Sequence, residues 1–410
     1  MSDLIRVGIA GARRGRAFVT GLRAIPNVEV TALCDIDADF LAEQADAHGI
    51  HGRFLDYNDL LNTDIDLVIV ATPMQLHVPQ SLAALAAGKH VMSEVTAAVS
   101  IEQCKELLEG VEAAKASGLK YMMAENVTYF RNNVVIQNMV EQGVFGDIYY
   151  AEGQYIHNLK NLRSNIPYSD ADGSPTWRSR WLTGVNGCTY ATHPIGPLLE
   201  WFQEKVDSVV CLGTGRHTAP EQLAEDSTTM LCKTDSGALL NIRVDILSNG
   251  PHSPRQNYHA LQGTKGCYEA ARGLGDKPKV WLDRWEAEES IRETINTDPY
   301  QLYGWDYGPN TRGVGTKEIT FAWRPLEDLA DEFLPEMWRN PPPAALAAGH
   351  HGSDYFIVKD IIDAIREDKE PRIDVYRALD YTLPGLMSAK SIALGGMPVK
   401  VPDFRSGQWG

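Results

Sequence analysis

Leu4-Ile5-Arg6-Val7-Gly8-Ile9-Ala10-Gly11-Ala12-Arg13-Arg14-Gly15 is the stretch that decides the fold. Residues 6–10 read as a β-strand, the glycines as a tight turn, and the chain from about Arg16 as a helix. A glycine turn between strand and helix lets the backbone approach a pyrophosphate, which the helix's first amides and dipole then hold. Gly8, Gly11, Arg13, Arg14 and Gly15 are therefore candidate cofactor contacts. The spacing departs from G-x-G-x-x-G, because Arg13 occupies the place of the second glycine and Gly15 arrives early. Context strengthens the reading: Asp35 closes the next β-branched run, residues 28–34, roughly 20 positions on. A carboxylate there accepts hydrogen bonds from adenosine ribose hydroxyls and repels a 2′-phosphate, so NAD is expected rather than NADP.

Working outward, residues 67–71, 90–93 and 120–124 are further strand-like runs. Residues 79–87 and 101–117 are helical patterns closed by Gly88 and Gly118. Strands alternating with helices predict a doubly wound parallel sheet over residues 1–124. Beyond Asn126 the texture changes. Residues 132–142 read as one amphipathic helix, and 148–156, 208–214, 228–233, 238–244 and 257–262 as strands joined by turns. Residues 125–410 are thus expected to form a second, α+β domain on a largely antiparallel open sheet. A Ser, Asn, Gly and Trp-rich stretch, 158–186, is too long for an ordinary connection and is expected to be a functional loop. Residues 355–367 and 375–394 read as closing helices.

Composition bounds the function. The 410 residues are 44 % hydrophobic and 22 % charged, with 38 Lys and Arg against 54 Asp and Glu, a formal charge of −16. An acidic chain without a basic run is a poor partner for nucleic acid or anionic lipid, and no apolar run reaches the ~20 residues of a membrane span. The first residues enter a strand at once, without signal-peptide regions, so a cytoplasmic location is expected. Six scattered cysteines form no C-x-x-C pair and read as buried or half-buried thiols. His350 and His351 near Asp354 lack a third ligand, so no metal is expected.

In the second half, Tyr190-Ala191-Thr192-His193 precedes Pro194 and Gly196-Pro197. This sets a phenol and an imidazole close together on a stiff turn. Removing hydride from a carbinol requires a base for the hydroxyl proton; His titrates near neutrality and Tyr can relay. Tyr155 and His157 share one face of a strand by the period of two. Arg178, between Trp177 and Trp181, offers a fork of donors to sugar oxygens while tryptophans cover sugar faces.

The chain resembles a known family. Ala71-Thr72-Pro73-Met74-Gln75-Leu76-His77, Ala87-Gly88-Lys89-His90-Val91 and Glu94 look like the glucose-fructose oxidoreductase/inositol dehydrogenase (Gfo/Idh/MocA) family. Where most family dehydrogenases read Glu-Lys-Pro, this chain reads Glu94-Val95-Thr96. A narrower resemblance covers nearly the whole chain. Glu94-Val95, Glu125-Asn126, Tyr155-Ile156-His157, Tyr190 to Pro197, His351-Gly352-Ser353-Asp354-Tyr355 and Pro402 to Trp409 together look like glycoside hydrolase family 109, NAD-dependent glycosidases. That resemblance implies that Arg14, Gly15, Asp35, Thr72, Met74, His77, Glu94, Val95 and Asn126 contact NAD. It also implies that Tyr155, Arg178, Tyr190 and His193 face the sugar; His157, Thr192, Trp177 and Asp354 are further candidate substrate contacts. A tyrosine of the family is replaced here by Phe333. The expected function is hydride transfer at a sugar carbinol, leading to redox-assisted glycosidic cleavage. The alternatives are an NAD-dependent sugar dehydrogenase and a non-catalytic NAD sensor. A homodimer or homotetramer is expected.

Overall fold

The computed structural model describes residues 4–157, 176–247, 256–283, 285 and 323–409. The first half builds β1 (Ile5–Ala10), α1 (Ala12–Arg23), β2 (Val28–Cys34), α2 (Ala38–Ala47), β3 (Gly52–Phe54), α3 (Tyr57–Leu61), β4 (Leu67–Val70), α4 (His77–Ala86), β5 (His90–Ser93), α5 (Ile101–Lys115) and β6 (Tyr121–Met123). All six strands run parallel in the order β3-β2-β1-β4-β5-β6. The order reverses between β1 and β4, and ligands of open α/β sheets bind outside the strand ends at such a point. The edge strand β3 went unpredicted because Gly-Arg-Phe carries no hydrophobic run; its pairing with β2 alone defines it.

Among the described residues the second sheet has nine strands, in the order β14-β13-β12-β11-β7-β10-β9-β8-β15. These are β7 (Ile148–Ile156), β8 (Val206–Gly213), β9 (Thr228–Thr234), β10 (Leu239–Asp245), β11 (His259–Gly263), β12 (Gly266–Glu269), β13 (Lys279–Leu282), β14 (Arg324–Pro325) and β15 (Val399–Lys400). Among the described strands only β7 and β10 pair in parallel; the other pairs are antiparallel, as the turn-linked strands predict. Helix α6 (Arg131–Glu141) precedes β7, and α7 (Thr192–Phe202) packs on β7's inner face. There Gly153 is required, since a Cβ would lie 2.2 Å from the carbonyl oxygen of Pro194.

The last helices, Ser353–Glu367 and Val375–Ala393, return to the first sheet. Gly21 of α1 faces the backbone of Tyr355, and the Met123 amide donates to the Ile373 carbonyl at 3.0 Å. All six cysteines are buried free thiols. No helix among the described residues is long and apolar enough to cross a membrane.

Candidate active site

The cofactor crevice is built at the carboxyl ends of β1, β2, β4, β5 and β6. Gly11 caps α1 at φ +85, and a Cβ there would lie 2.3 Å from the Ala71 carbonyl oxygen; only glycine brings the turn this close to the loop after β4. Gly15, the early glycine, packs directly on Ile9 and Ala71, which is the close helix–strand approach the fingerprint needs. Gly8 faces Ile65 and Leu60 inside the sheet layer, away from the turn. Asp35 accepts the Ala12 amide at 2.9 Å and the Asp37 amide at 3.1 Å, so it locks the ends of β1 and β2 together. The amides of Arg13 and Arg14 have no i−4 carbonyl within α1 and form an anion-binding end. Glycine cradle, amides and terminal carboxylate fit NAD.

The arginines are held rather than free. Arg13 pairs with Asp37 at 2.7 Å. Arg14 donates to Glu94 at 2.6 Å and reaches Asp354 at 3.3 Å. Three carboxylates therefore neutralise the two guanidiniums beside the turn, and the first amides of α1 remain as donors toward an anion. Asp354, expected at the sugar, is fully buried in the first turn of helix Ser353–Glu367, where it takes Arg14 and His350. Burial by itself would raise its carboxyl; the His350 hydrogen bond and the Arg14 charge outweigh that and hold it below the usual range. His77 is likewise 1 % exposed, its ring nitrogens 2.8 and 2.9 Å from the carbonyls of Thr96 and Thr72. It braces the loops after β4 and β5, and burial pushes its imidazole down. Met74, Val95 and Asn126 are buried at the same strand ends, and Thr72 donates to Gln80 at 2.5 Å.

Across the crevice, Tyr155, Tyr190 and His193 converge. The His193 ring centroid lies 4.7 Å from that of Tyr155 and 5.1 Å from that of Tyr190; the two phenols are 5.6 Å apart, and His157 lies 5.5 Å from Tyr155. Strand β7 supplies Tyr155, and the first turn of α7 supplies His193. The segment before α7 is tied to helix Val375–Ala393 by the Cys188 amide donating to Ser388 Oγ at 2.7 Å. Arg178 stacks over Trp177 at 4.6 Å, and its Nε is buried with no hydrogen-bond partner among the described residues. Burial pushes the Tyr190 phenol up to about 12 against the opposing charge of Arg178. Burial, then Tyr190 and Glu125, push Tyr155 well above its ordinary value. Thr192 faces inward at 1 % exposure. Of the long loop, residues 158–175 lie outside the described residues.

Sequence reasoning missed the role of one residue. Glu125, noted only as part of a motif, is fully buried with Oε1 2.7 Å from His193 Nδ1. Its position just past β6 was the available signal, since side chains at parallel-strand ends face the ligand crevice. Phe333 is buried at 1 % exposure, and its carbonyl accepts from Asn138.

Residues 5–124 match the oxidoreductase family with an NAD-binding Rossmann fold. Residues 129–214 and 309–410 match the glycosyl hydrolase 109 C-terminal domain. A glycosyl hydrolase family 109 protein of Saccharopolyspora erythraea is 27 % identical over 440 residues, covering 99 % of this chain and 84 % of that protein. One from Streptomyces coelicolor is 28 % identical over 437 residues, with the same coverage. Among solved structures, an oxidoreductase domain protein from Kribbella flavida superposes with TM-score 0.73 at 18 % identity over 98 % of this chain and 100 % of that one. Levoglucosan dehydrogenase in complex with NADH and levoglucosan superposes with TM-score 0.71 at 20 % identity, over 97 % and 100 %. These two likenesses establish the fold.

Proposed function

Because the chain belongs to the Gfo/Idh/MocA oxidoreductase family and carries a glycosyl hydrolase 109 C-terminal domain, we propose that it cleaves a glycosidic bond by a redox-neutral route at a sugar carbinol. The observation that carries the reading is the Tyr155, Tyr190 and His193 cluster facing the strand ends of an NAD-binding sheet. Bound NAD supplies a hydride acceptor that becomes the hydride donor at the close of the cycle. His193 takes the hydroxyl proton from carbon 3 of the sugar as the hydride leaves that carbon. The resulting ketone makes the carbon 2 proton acidic; its removal expels the glycosidic oxygen, water adds, and re-reduction restores the hydroxyl. Tyr155 and Tyr190, neutral phenols at working pH, donate hydrogen bonds to the developing oxyanion and return a proton to the leaving group. Arg178 and the Trp177 face seat the sugar, with His157 beside Tyr155. This route does not use a pair of carboxylates flanking the bond, unlike most glycosidases.

Incubation with nitrophenyl glycosides, and separately with free sugars plus NAD, tests the reading. Nitrophenol release without net NADH supports it; NADH accumulation from free sugar without glycoside cleavage replaces it with a sugar dehydrogenase using the same residues. His193→Ala is expected to lower turnover at least a hundredfold while NAD affinity, read by fluorescence titration, stays within twofold. A fully active variant refutes His193 as the base. The same reading includes self-association into a dimer or tetramer, supported by the outer face of the second sheet, where Leu212, Leu231 and Leu239 are 60 %, 39 % and 38 % exposed.

A further inference from the structure

We infer that Glu125 is the positioning residue that makes His193 a base: it fixes the imidazole tautomer and balances the charge that appears when the ring takes a proton. The inference rests on the reading of His193 as the proton acceptor and adds the residue that orients it. Glu125 Oε1 receives the Val127 amide at 3.0 Å and lies 2.7 Å from His193 Nδ1. An oxygen that already accepts an N–H is the acceptor toward the ring as well, so Nδ1 carries the hydrogen. This leaves the lone pair on Nε2, the ring nitrogen not engaged by Glu125, and Tyr155 and Tyr190 pack against the same ring.

The surroundings make this dyad rigid. Glu125 is the residue before the short helix Asn126–Tyr129, 0 % exposed, and its side chain cannot swing into solvent. Gly196, one turn after His193 in α7, is what permits the approach: a Cβ there would lie 3.2 Å from Glu125 Cγ and 3.0 Å from Thr128 Cγ2. The second carboxylate oxygen, Oε2, is buried with no hydrogen-bond partner among the described residues. A structural carboxylate at a helix start is normally satisfied on both oxygens; an unsatisfied one beside an imidazole places the residual negative charge where an imidazolium will form. The proton travels from the sugar hydroxyl oxygen to Nε2, Nδ1–H stays in place, and the new positive charge sits against Glu125, the arrangement by which a buried carboxylate activates a histidine base. Among the described residues, the other titratable groups against the ring are Tyr155 from β7 and Tyr190 from the turn before α7, both held protonated by burial.

The decisive readout needs no substrate. Nitrogen-15 histidine spectra of the wild-type protein, with the His193 signals assigned by their loss in His193→Ala, are expected to show the Nδ1–H tautomer. In Glu125→Gln, the same shape without the charge, the His193 titration midpoint is expected to fall by about one pH unit or more, because the carboxylate that favours the imidazolium is gone. Turnover of the nitrophenyl glycoside that the wild type cleaves is expected to drop at least tenfold in kcat with KM and NAD affinity within twofold. An Nε2–H tautomer in the wild type, or an unmoved midpoint in Glu125→Gln, overturns the inference. Should the variant fail to fold, the wild-type tautomer decides alone. The two readings fail separately: a dead His193→Ala with an Nε2–H tautomer removes the Glu125 role and keeps the base, whereas an active His193→Ala removes the base whatever the tautomer.

Discussion

His259 is a buried imidazole behind the active-site helix, and its titration is a folding term rather than a catalytic one. It lies on β11 at 1 % exposure, edge-on to Trp201, with Nδ1 3.1 Å from the Asn257 carbonyl. Pro197 has no amide to offer the His193 carbonyl one helical turn back, and that carbonyl with its Pro194 neighbour faces the His259 ring. Burial, only partly offset by these carbonyls and by Glu125, pushes its pKa down to about 4 from the ordinary 6.5. The sign follows from linkage. Above pH 6.5 the ring is neutral in both states and costs nothing; as pH falls below 6.5 the unfolded chain binds a proton that the folded chain refuses, and stability is lost until about pH 4. At pH 5 the loss is about 2 kcal/mol. His259→Leu, compared with wild type by chemical denaturation at pH 7.5 and pH 5, is expected to lose about 2 kcal/mol less over that interval. An unchanged difference between the two pH values would sink the assignment.

At the scale of elements, α7 carries the proposed base, His193, and its placement on β7 is the sensitive contact. The sequence reads Tyr190 to Pro197 as a stiff turn; in the structure that turn is already the start of the helix, which begins at Thr192. Pro194 is tolerated there because the first-turn amide it lacks has no helical partner in any case. His193 thereby sits inside the first turn, projected toward Glu125. Gly153 sets how deeply the turn seats on the strand. Gly153→Ala would put a methyl 2.2 Å from the Pro194 oxygen, and overpacking of this kind costs about 1–3 kcal/mol. We expect a lowered melting temperature and at least a tenfold fall in kcat with NAD affinity unchanged, since β7 contributes nothing to the cofactor crevice. Wild-type turnover in this variant would show that the α7–β7 contact does not position the base.

At the scale of the whole molecule, the outer face of the nine-stranded sheet presents Val210, Leu212, Leu231 and Leu239 in adjacent strands. If the proposed dimer or tetramer forms through this face, Leu231→Glu is expected to yield monomer in size-exclusion chromatography with light scattering, at little cost to folding because the position is partly exposed. A wild-type protein that is already monomeric at tens of micromolar disproves the association. The same scale separates what is legible in the chain from what is not. The sequence by itself determined the βαβ alternation, the glycine turn at Gly11 and Gly15, Asp35 at the end of β2, the antiparallel texture of the second half and the Tyr190/His193 motif. Each of these is encoded within a few residues, by hydrophobic period, turn chemistry or direct adjacency. Only the tertiary structure decided the partners. Glu125 and His193 are 68 residues apart, and Arg14 and Asp354 are 340 apart. It also decided that Arg13 and Arg14 are neutralised, that His77 and Asp354 are braces, and that the helices of the last sixty residues cover the first sheet. Such pairings follow from how two sheets and their returning helices pack, and charge complementarity at long range leaves no periodic trace in a single sequence.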